Sequence, residues 1–309
     1  MRIIFMGTPE SAALSLARLL RDGHEVVAVW TQPDRPAGRG KRLHQSPVKQ
    51  FAVENNLSVH QPLKIKTDEA KQLFASHQAD VAVVVAYGRI LPAHFLDTPK
   101  FGCINVHFSL LPKYRGAAPV NWAIINGETQ TGVTTMKIVT ELDAGPILKQ
   151  ALTRIEEKET APELMSRLAE IGAELISETL QQLERLDAKP QRHEEATFAP
   201  MLKREDGLID WSMSAAAIER RIRGLQPWPN AYTSFNSRRL ILKKAEEDKS
   251  SHSAQPGQVV NAHGDELLLS CGDRTSLRLL ELQPEDSRLM SARDFLNGTK
   301  LEPGQMLGT

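Results

Sequence analysis

Short apolar runs alternate with amphipathic stretches over the first half of the chain. The runs have the length of buried strands, and the stretches between them repeat apolar residues at helical spacing. Strands are predicted at 2–7, 25–31, 57–60, 80–87, 102–107, 131–139 and 147–155, and helices at 10–21, 47–56, 67–76, 119–126 and 160–186. Because parallel strands need crossover helices, this order predicts an α/β fold with a Rossmann-like, doubly wound, mostly parallel sheet.

The pattern changes near residue 189. Residues 189–205 lose their periodicity, contain two prolines and mix charges, which is typical of a linker. After them come a helix at 214–224, short strands at 232–235, 240–245, 257–261, 267–271 and 277–282, and a last helix at 290–297. Short strands at close spacing predict a small antiparallel barrel. We therefore expect a first domain at 1–188, a linker at 189–205 and a C-terminal domain at 206–309.

The composition is that of a globular protein. The chain has 309 residues, 41% hydrophobic and 25% charged, with a formal net charge of zero, so any nucleic-acid-binding surface must be a local patch. The longest apolar stretch, 81–87, is too short for a membrane span, and nothing resembles a signal peptide. Cys103 and Cys271 form no CxxC pair, so neither a zinc site nor a disulfide framework is indicated. We expect a soluble, cytoplasmic protein with reduced thiols.

The apolar run that ends at His107 carries the strongest chemical signal. Asn105 and His107 are alternate positions, which share one face of a strand, at the end where open α/β sheets bind ligands. Asp143 follows His107 by 36 residues, just before an Ala-Gly-Pro turn. An amide, an imidazole and a carboxylate together supply a donor to a developing oxyanion, a proton acceptor and a charge that tunes the imidazole. Taken singly, however, an Asn or His at a strand end is more often structural.

Asn105, His107 and the segment Ser109-Leu-Leu-Pro112, followed by Asp143, resemble the signature of the formyltransferases that use 10-formyltetrahydrofolate. The resemblance implies that Asn105 positions the formyl oxygen, that His107 stabilises the oxyanion, and that Asp143 orients His107 and helps to move a proton. It implies 10-formyltetrahydrofolate as the formyl donor and no metal. The residues it assigns to folate binding are Ser109, Leu110, Leu111, Pro112, Ile90 and Leu91.

Several of these positions have a second explanation. Core packing under a loop accounts for Ile90 and Leu91 nearly as well as folate contact does. Phe108 departs from the family pattern, in which a small residue or proline is common, but it falls on the strand face opposite His107. We therefore expect altered packing there rather than lost chemistry. Lys113 and Arg115 suit substrate phosphates or the folate glutamate tail, and a solvated pair is an equal alternative.

Residues 32–46 form a long predicted loop with a basic excess. Arg35, Arg39, Lys41 and Arg42 stand there against the single acid Asp34. Such an excess suits a phosphate backbone, although a solvated surface loop is the alternative. Formyltransferases that act on initiator methionyl-tRNA carry a similar Thr-Gln-Pro-Asp-Arg-Pro-Ala-Gly-Arg-Gly-Lys segment, inserted against the acceptor stem. This resemblance implies that the four basic residues bind tRNA, with Arg39 at the tRNA end.

The resemblance covers nearly the whole chain, since the C-terminal pattern is similar to the OB-like domain of the same formyltransferases. It implies formyl transfer to the α-amino group of methionine on initiator methionyl-tRNA, by a monomer that binds tRNA and folate but no membrane. A core of this kind could instead formylate glycinamide ribonucleotide or a sugar amine, or hydrolyse formylfolate. Those activities would not need the basic loop together with the C-terminal domain. An RNA-binding module with a decayed enzyme core is disfavoured by the intact Asn105, His107 and Asp143.

Overall fold

The computed structural model describes residues 1–37, 42–250 and 253–308. Its strands are β1 (Arg2–Gly7), β2 (Glu25–Trp30), β3 (Arg35–Ala37), β4 (Arg42–His44), β5 (Val59–His60), β6 (Val81–Val85), β7 (Cys103–His107), β8 (Arg115–Gly116), β9 (Gln130–Lys137), β10 (Ile147–Arg154), β11 (Phe198–Ala199), β12 (Ala231–Phe235), β13 (Arg238–Asp248), β14 (Val259–His263), β15 (Glu266–Ser270), β16 (Ser276–Pro284) and β17 (Met290–Ser291). Its helices are α1 (Glu10–Arg21), α2 (Pro47–Glu54), α3 (Asp68–Ser76), α4 (Ala93–Leu96), α5 (Pro119–Ile125), α6 (Ala161–Gln182), α7 (Ala215–Gly224) and α8 (Ala292–Gly298), with 3-10 turns at His193–Glu195 and Arg204–Gly207.

The chain divides into two compact units. The first comprises Met1–Pro119, Gln130–Arg154 and Met165–Ala199, and the second comprises Val120–Thr129, Ile155–Leu164 and the chain from Pro200 onward. The first part of the predicted linker, residues 189–199, therefore belongs to the first unit. Neither unit contains, within the ranges described, a helix long and apolar enough to cross a membrane.

The first unit is built on a seven-stranded sheet. Its strand order is β10-β9-β7-β6-β1-β2-β5. The pairs β5-β2, β2-β1, β1-β6 and β6-β7 are parallel, and β9 runs antiparallel to β7 and β10. The predicted Rossmann-like, mostly parallel sheet is confirmed. Strands β2 and β5 lie on one side of β1, and β6, which follows them in sequence, lies on the other side. Open α/β sheets bind ligands where the strand order reverses in this way, which here is beside β1.

The central strand is apolar on both faces. Ile3, Ile4, Phe5 and Met6 of β1 are all fully buried, as expected for a parallel strand covered by helices on each side. Helix α1 presents Ala12, Leu16 and Leu19 to the interior. The buried faces on both sides of β1 explain why the apolar runs at the start of the sequence predict strands correctly.

Residues 32–46 differ from the predicted loop. Strands β3 and β4 pair antiparallel, with Arg35 opposite His44 and Pro36 opposite Leu43, and so form a two-stranded ribbon. In this ribbon the main-chain N–H and C=O groups of one part of the segment bind those of another part. The mixture of prolines, glycines and basic residues in the sequence did not indicate this pairing. Arg39 and Lys41 lie outside the described residues, and of Arg42 only the main chain is described.

The second unit contains an antiparallel sheet with the strand order β12-β13-β16-β15-β14, and β17 pairs with β16. Strand β13 is longer than the predicted 240–245, because two register shifts near Lys244 let one strand bend and continue its pairing with β16. Helix α7 buries Ile218 and Ile222 against this sheet. The predicted antiparallel C-terminal domain is confirmed.

Two early segments of the chain belong to this second unit. Asn121 donates from Nδ2 to the carbonyl of Gly224 at 2.7 Å, and Trp122 donates from Nε1 to the carbonyl of Pro200 at 2.8 Å. Lys158 lies 2.6 Å from Glu246. The second unit is therefore assembled from three stretches of sequence.

Candidate active site

Strand β7 places Asn105 and His107 on one face of the first sheet. The strand lies between β6 and β9, and His107 is opposite Thr134 of β9. His107 is only 6% exposed, whereas Asn105 is half-buried and remains accessible. The alternation along the strand sends both residues to the same side.

Phe108 is buried with Val106 on the other side of β7. A Cβ built on Gly172 of α6 would lie 3.0 Å from Val106 Cγ1 and 3.3 Å from Phe108 Cε1. Helix α6 thus approaches closely at a glycine and leaves room for the phenyl ring. Phe108 packs against this helix, on the face away from His107, as the alternation of the strand predicts.

The imidazole of His107 is held between a carbonyl and a carboxylate. Its Nε2 lies 2.9 Å from the carbonyl oxygen of Tyr114, and its Nδ1 lies 3.7 Å from Oδ2 of Asp143. A carbonyl oxygen only accepts, so Nε2 carries a hydrogen and donates it to Tyr114. Nδ1 is therefore the nitrogen available for chemistry, and it faces Asp143 at a distance longer than a hydrogen bond.

Asp143 is fixed through its side chain and its main chain. The N–H of Gly116 donates to its Oδ2 at 2.8 Å, and Nε2 of Gln191 donates to its carbonyl oxygen at 2.8 Å. The residue has φ +49, in the left-handed region. Sequence reasoning missed Gln191, which falls in the predicted linker, where no local pattern marks it.

Arg115 corrects an expectation from the sequence. Neither a solvated arginine nor one that binds substrate phosphate fits, because its side chain is only 2% exposed. Its Nε and Nη2 donate to Oε1 of Gln191 at 3.0 and 2.8 Å. Burial and this two-point contact turn the guanidinium inward. Lys113, in contrast, is exposed.

The turn after β7 is bound to β9. Thr134 Oγ1 donates to the carbonyl of Ser109 at 2.6 Å and accepts from the N–H of Leu111 at 3.1 Å. Ser109 Oγ donates to the carbonyl of Lys113 at 2.6 Å, and the bond between Leu111 and Pro112 is cis. Ser109 and Leu111 are buried, while Leu110 and Pro112 are half-buried. The hydrogen bonds of Thr134 thus fasten the predicted folate-binding turn to β9, directly after His107.

The other two predicted folate contacts behave differently from each other. Ile90 is 70% exposed, and Leu91 is 6% exposed and packs in a core cluster with Tyr87 and Phe95. Of these two residues, Ile90 is therefore the one whose side chain is accessible from solvent. For Leu91 the structure favours the alternative of core packing.

A cleft of about 430 Å³ opens at the carboxyl ends of β1, β2 and β6. Its lining includes Thr8, Gln32, Arg35, His44 and Ser46. Thr8 Oγ1 and Gln32 Nε2 both donate to the carbonyl of Tyr87, at 3.2 and 3.0 Å, and so fix its walls. The cleft occupies the position beside β1 where sheets of this order bind ligands.

The basic segment of residues 32–46 borders this cleft through Arg35 and His44, and its one acid, Asp34, is already paired. Asp34 accepts from Lys49 Nζ at 2.6 Å and from Gln61 Nε2 at 2.8 Å. These hydrogen bonds, to Gln61 and then to Lys49, hold the pKa of Asp34 below its usual value. The exposed Arg35 beside it therefore keeps its charge available to an anionic ligand.

The thiols take no part in this arrangement. Burial raises the pKa of Cys103 and of Cys271 to about 12, so both remain protonated at neutral pH. Across residues 1–37, 42–250 and 253–308, no group of three or more His, Cys, Asp or Glu side chains is placed to hold a metal ion. What the site offers is an accessible amide, an imidazole nitrogen and a carboxylate.

Comparisons with known proteins agree with this geometry. Residues 1–180 match the family model described as formyl transferase, and residues 201–300 match the formyl transferase C-terminal domain. The methionyl-tRNA formyltransferase of Caldanaerobacter subterraneus is 47% identical over 310 residues, covering 99% of this chain and 100% of the relative. That of Koribacter versatilis is 48% identical over 311 residues, covering 100% of this chain and 99% of the relative.

Solved structures share the fold at lower identity. The N-formyltransferase of Helicobacter canadensis, in a complex with folinic acid and dTDP-3-aminofucose, has a TM-score of 0.68 at 19% identity, covering 90% of this chain and 98% of that one. HypX of Aquifex aeolicus with tetrahydrofolic acid has a TM-score of 0.64 at 17% identity, covering 99% of this chain and 50% of that one. With both domain models matched and full-length relatives 47–48% identical, the chain belongs to the formyl transferase family, in the branch of the methionyl-tRNA formyltransferases.

Proposed function

We propose that this protein transfers the formyl group of 10-formyltetrahydrofolate to the α-amino group of methionine on initiator methionyl-tRNA. The observation that carries the proposal is the meeting of His107 and Asp143 beside Asn105, in a chain whose full-length relatives are methionyl-tRNA formyltransferases. No metal is needed for this reaction, because an amide, an imidazole and a carboxylate supply the polar groups that it requires.

The reaction forms one C–N bond and breaks another. The neutral methionine amine attacks the formyl carbon, and the formyl oxygen becomes an oxyanion in a tetrahedral intermediate. Collapse of the intermediate breaks the bond between the formyl carbon and N10 of the folate. The amine loses a proton and N10 gains one, so the enzyme ends unchanged and needs only to move that proton.

Each of the three residues has a role that its position supports. Asn105, accessible on β7, donates from Nδ2 to the formyl oxygen and orients it. His107, with Nε2 bound to the Tyr114 carbonyl, uses Nδ1 toward the oxyanion. Asp143 faces Nδ1, balances the charge of the protonated ring and passes the amine proton toward N10. A carboxylate opposite a fixed imidazole is a common means of orienting such a ring.

The folate and the tRNA have separate places in this proposal. The pteridine binds along the turn of residues 109–112, which Thr134 ties to β9, and against the exposed Ile90. The aminoacylated end of the tRNA enters the cleft beside β1, where Arg35 meets its phosphates, and Arg39, Lys41 and Arg42 extend the same basic segment. The antiparallel second unit binds the tRNA body. The paired state of Asp34 supports this proposal, because Asp34 is the one acid in the basic segment of residues 32–46 and its carboxylate is already bound to Lys49 and Gln61.

Cellular location and assembly are part of the same proposal. We place the protein in the cytoplasm, where charged initiator tRNA is used, and this agrees with two thiols that are buried and free. We expect a monomer, which light scattering on the purified protein would test directly.

The experiment that tests the function is transfer of labelled formyl from 10-formyltetrahydrofolate to charged initiator tRNA, with charged elongator methionine tRNA alongside. We expect label on the initiator tRNA only. Folate turnover without labelled tRNA would overturn the assignment of the acceptor and favour a small amine or water in its place. Absence of any folate turnover by the folded protein would overturn the formyl-transfer reaction itself.

A further inference from the structure

Gln191 is buried, and every hydrogen-bonding position of its amide is occupied. Its Nε2 donates to the carbonyl oxygens of Asp143 and Gly145, each at 2.8 Å. Its Oε1 accepts from Nε and Nη2 of Arg115 at 3.0 and 2.8 Å. A primary amide has two N–H groups and two lone pairs, so these four contacts satisfy it fully and permit one orientation only.

The two carbonyls that Gln191 binds belong to the turn that carries the Asp143 carboxylate. Asp143 itself has φ +49, a conformation that residues with side chains adopt at a conformational cost. A turn of this kind persists where surrounding contacts hold it, and Gln191 supplies one on each side of Ala144. Without those contacts the carboxylate would be free to leave its place opposite His107.

Arg115 is the other half of the support. Its guanidinium is almost completely buried and binds the turn twice, through Gln191 and through an ion pair with Glu141 at 3.4 Å. The next residue, Gly116, donates its N–H to the Asp143 carboxylate at 2.8 Å. Two consecutive residues of β8 therefore hold Asp143, one through its side chain and one through its main chain.

We propose that Gln191 and Arg115 are positioning residues, which set the Asp143 carboxylate against Nδ1 of His107 without touching the substrate. The proposal rests on the proposed role of Asp143. It assigns a function in formyl transfer to a segment that the sequence presented as a linker. The alternative is that the contact between Gln191 and Arg115 contributes only to folding and has no effect on catalysis.

The test uses the full chain with Gln191→Glu. Glutamate has nearly the same size and still accepts from Arg115, but it presents an oxygen to the carbonyls of Asp143 and Gly145. We expect kcat to fall about ten- to a hundredfold, as for other supporting groups and misplaced reacting groups, with both KM values within about twofold of the parent. A purely structural role predicts loss of folded protein instead, or a changed KM with the parent kcat.

A second comparison asks whether Gln191 acts through Asp143. In the Asp143→Asn background, Gln191→Glu should cause no further loss of kcat, because the carboxylate that it positions is already gone. Fully additive losses would overturn the proposal. If Asp143→Asn itself keeps the parent rate, the proposed function of Asp143 fails, which is a different outcome from a failure of Gln191.

Two further variants keep the test decisive. Gln226→Glu is the matched control, since Gln226 also donates to two carbonyls, of Ile222 at 3.1 Å and Lys243 at 3.0 Å, but within the second unit. Its kcat should equal that of the parent. Arg115→Lys keeps the charge and loses the two-point contact, so we expect the same direction of change in kcat, again without a change in KM. Parent kcat in both folded variants, Gln191→Glu and Arg115→Lys, would overturn the proposal.

Discussion

The main-chain N–H of Gly116 donates to the carboxylate of Asp143 at 2.8 Å, and it can do so only because residue 116 has no side chain. Its φ is +125, and an added Cβ would lie 2.5 Å from the carbonyl oxygen of Ala199. Strands β8 and β11 pair at this point, with Gly116 opposite Ala199, so neither strand can withdraw without losing its hydrogen bonds. The position of the Asp143 carboxylate, in the loop between β9 and β10, therefore depends on a glycine in β8.

Gly116→Ala should slow the reaction and destabilise the protein. The substitution forces β8 away from β11 and moves the N–H from Asp143, so we expect kcat to fall about tenfold or more and stability by about 1–3 kcal/mol. Steady-state kinetics and urea unfolding measure the two effects. Gly23→Ala is the control, since its φ is +80 and nothing lies within 4 Å of its added Cβ. It should lose a little stability and no activity, and a parent kcat in Gly116→Ala would contradict the role given to this contact.

Asn105→Ala should reduce kcat about a hundred- to a thousandfold, which is the usual result of removing one oxyanion donor. Asn105 is half-buried at the edge of the site, so we expect the variant to fold and to bind folate. Asn55→Ala, at the exposed end of α2, serves as the control and should keep the parent rate. Rapid quench of formyl transfer separates the chemical step from binding. Unchanged chemistry in Asn105→Ala would remove Asn105 from the mechanism.

Arg35→Ala should weaken tRNA binding and make it less sensitive to salt. Each phosphate contact that is lost lowers the slope of log K against log salt by about one, because fewer counterions are released. Filter binding of charged initiator tRNA between about 50 and 200 mM salt gives that slope. Lys100→Ala removes an exposed cation that pairs with Glu184 and should leave the slope unchanged. Equal slopes for Arg35→Ala and the parent would contradict a phosphate contact at Arg35.

Stability should fall as the pH drops below about 6.5. The rings of His60 and His77 lie 5.0 Å apart, and burial lowers the pKa of both. The unfolded chain then binds protons at a higher pH than the folded chain, so acid favours unfolding in the window between the folded and unfolded pKa values. Urea unfolding at pH 7.5 and 5.5 should show this loss, and the double variant His60→Gln/His77→Gln should show less of it. The same loss in the double variant would assign the effect to other groups.

The sequence predicts the sheet well because its strands are marked locally. The apolar runs of β1 and β6 are buried on both faces, and helix α1 was predicted with the bounds that the structure has. The ribbon of β3 and β4 was missed because its pairing joins short polar segments that contain Pro36 and so carry no strand period. Periodicity reports which face of an element is buried, and the described side chains of these strands, at 35, 36, 43 and 44, are all exposed.

The site could be predicted only in part for a related reason. Asn105 and His107 stand on one strand and share its period, and Asp143 was found through a resemblance. Gln191 lies 48 residues beyond Asp143 and reaches it by a side chain in irregular structure, so no spacing rule points to it. For Arg115 the sequence offered two equal alternatives, an anionic ligand or solvent, because arginine is rarely buried without a partner. Its partner Gln191, which lies 76 residues further along the chain, explains the burial that the structure shows.

The three-part second unit has a consequence for the order in which the protein is made. Its first two stretches, Val120–Thr129 and Ile155–Leu164, leave the ribosome well before Gly224 and Glu246, to which Asn121 and Lys158 bind. In sequence they are flanked by segments of the first unit, and the remainder of the second unit, from Pro200 onward, is synthesised after them. A nascent chain that stops near residue 200 therefore lacks the partners of both stretches. Asn121 and Lys158 can form their contacts with Gly224 and Glu246 only after the last third of the chain has been made.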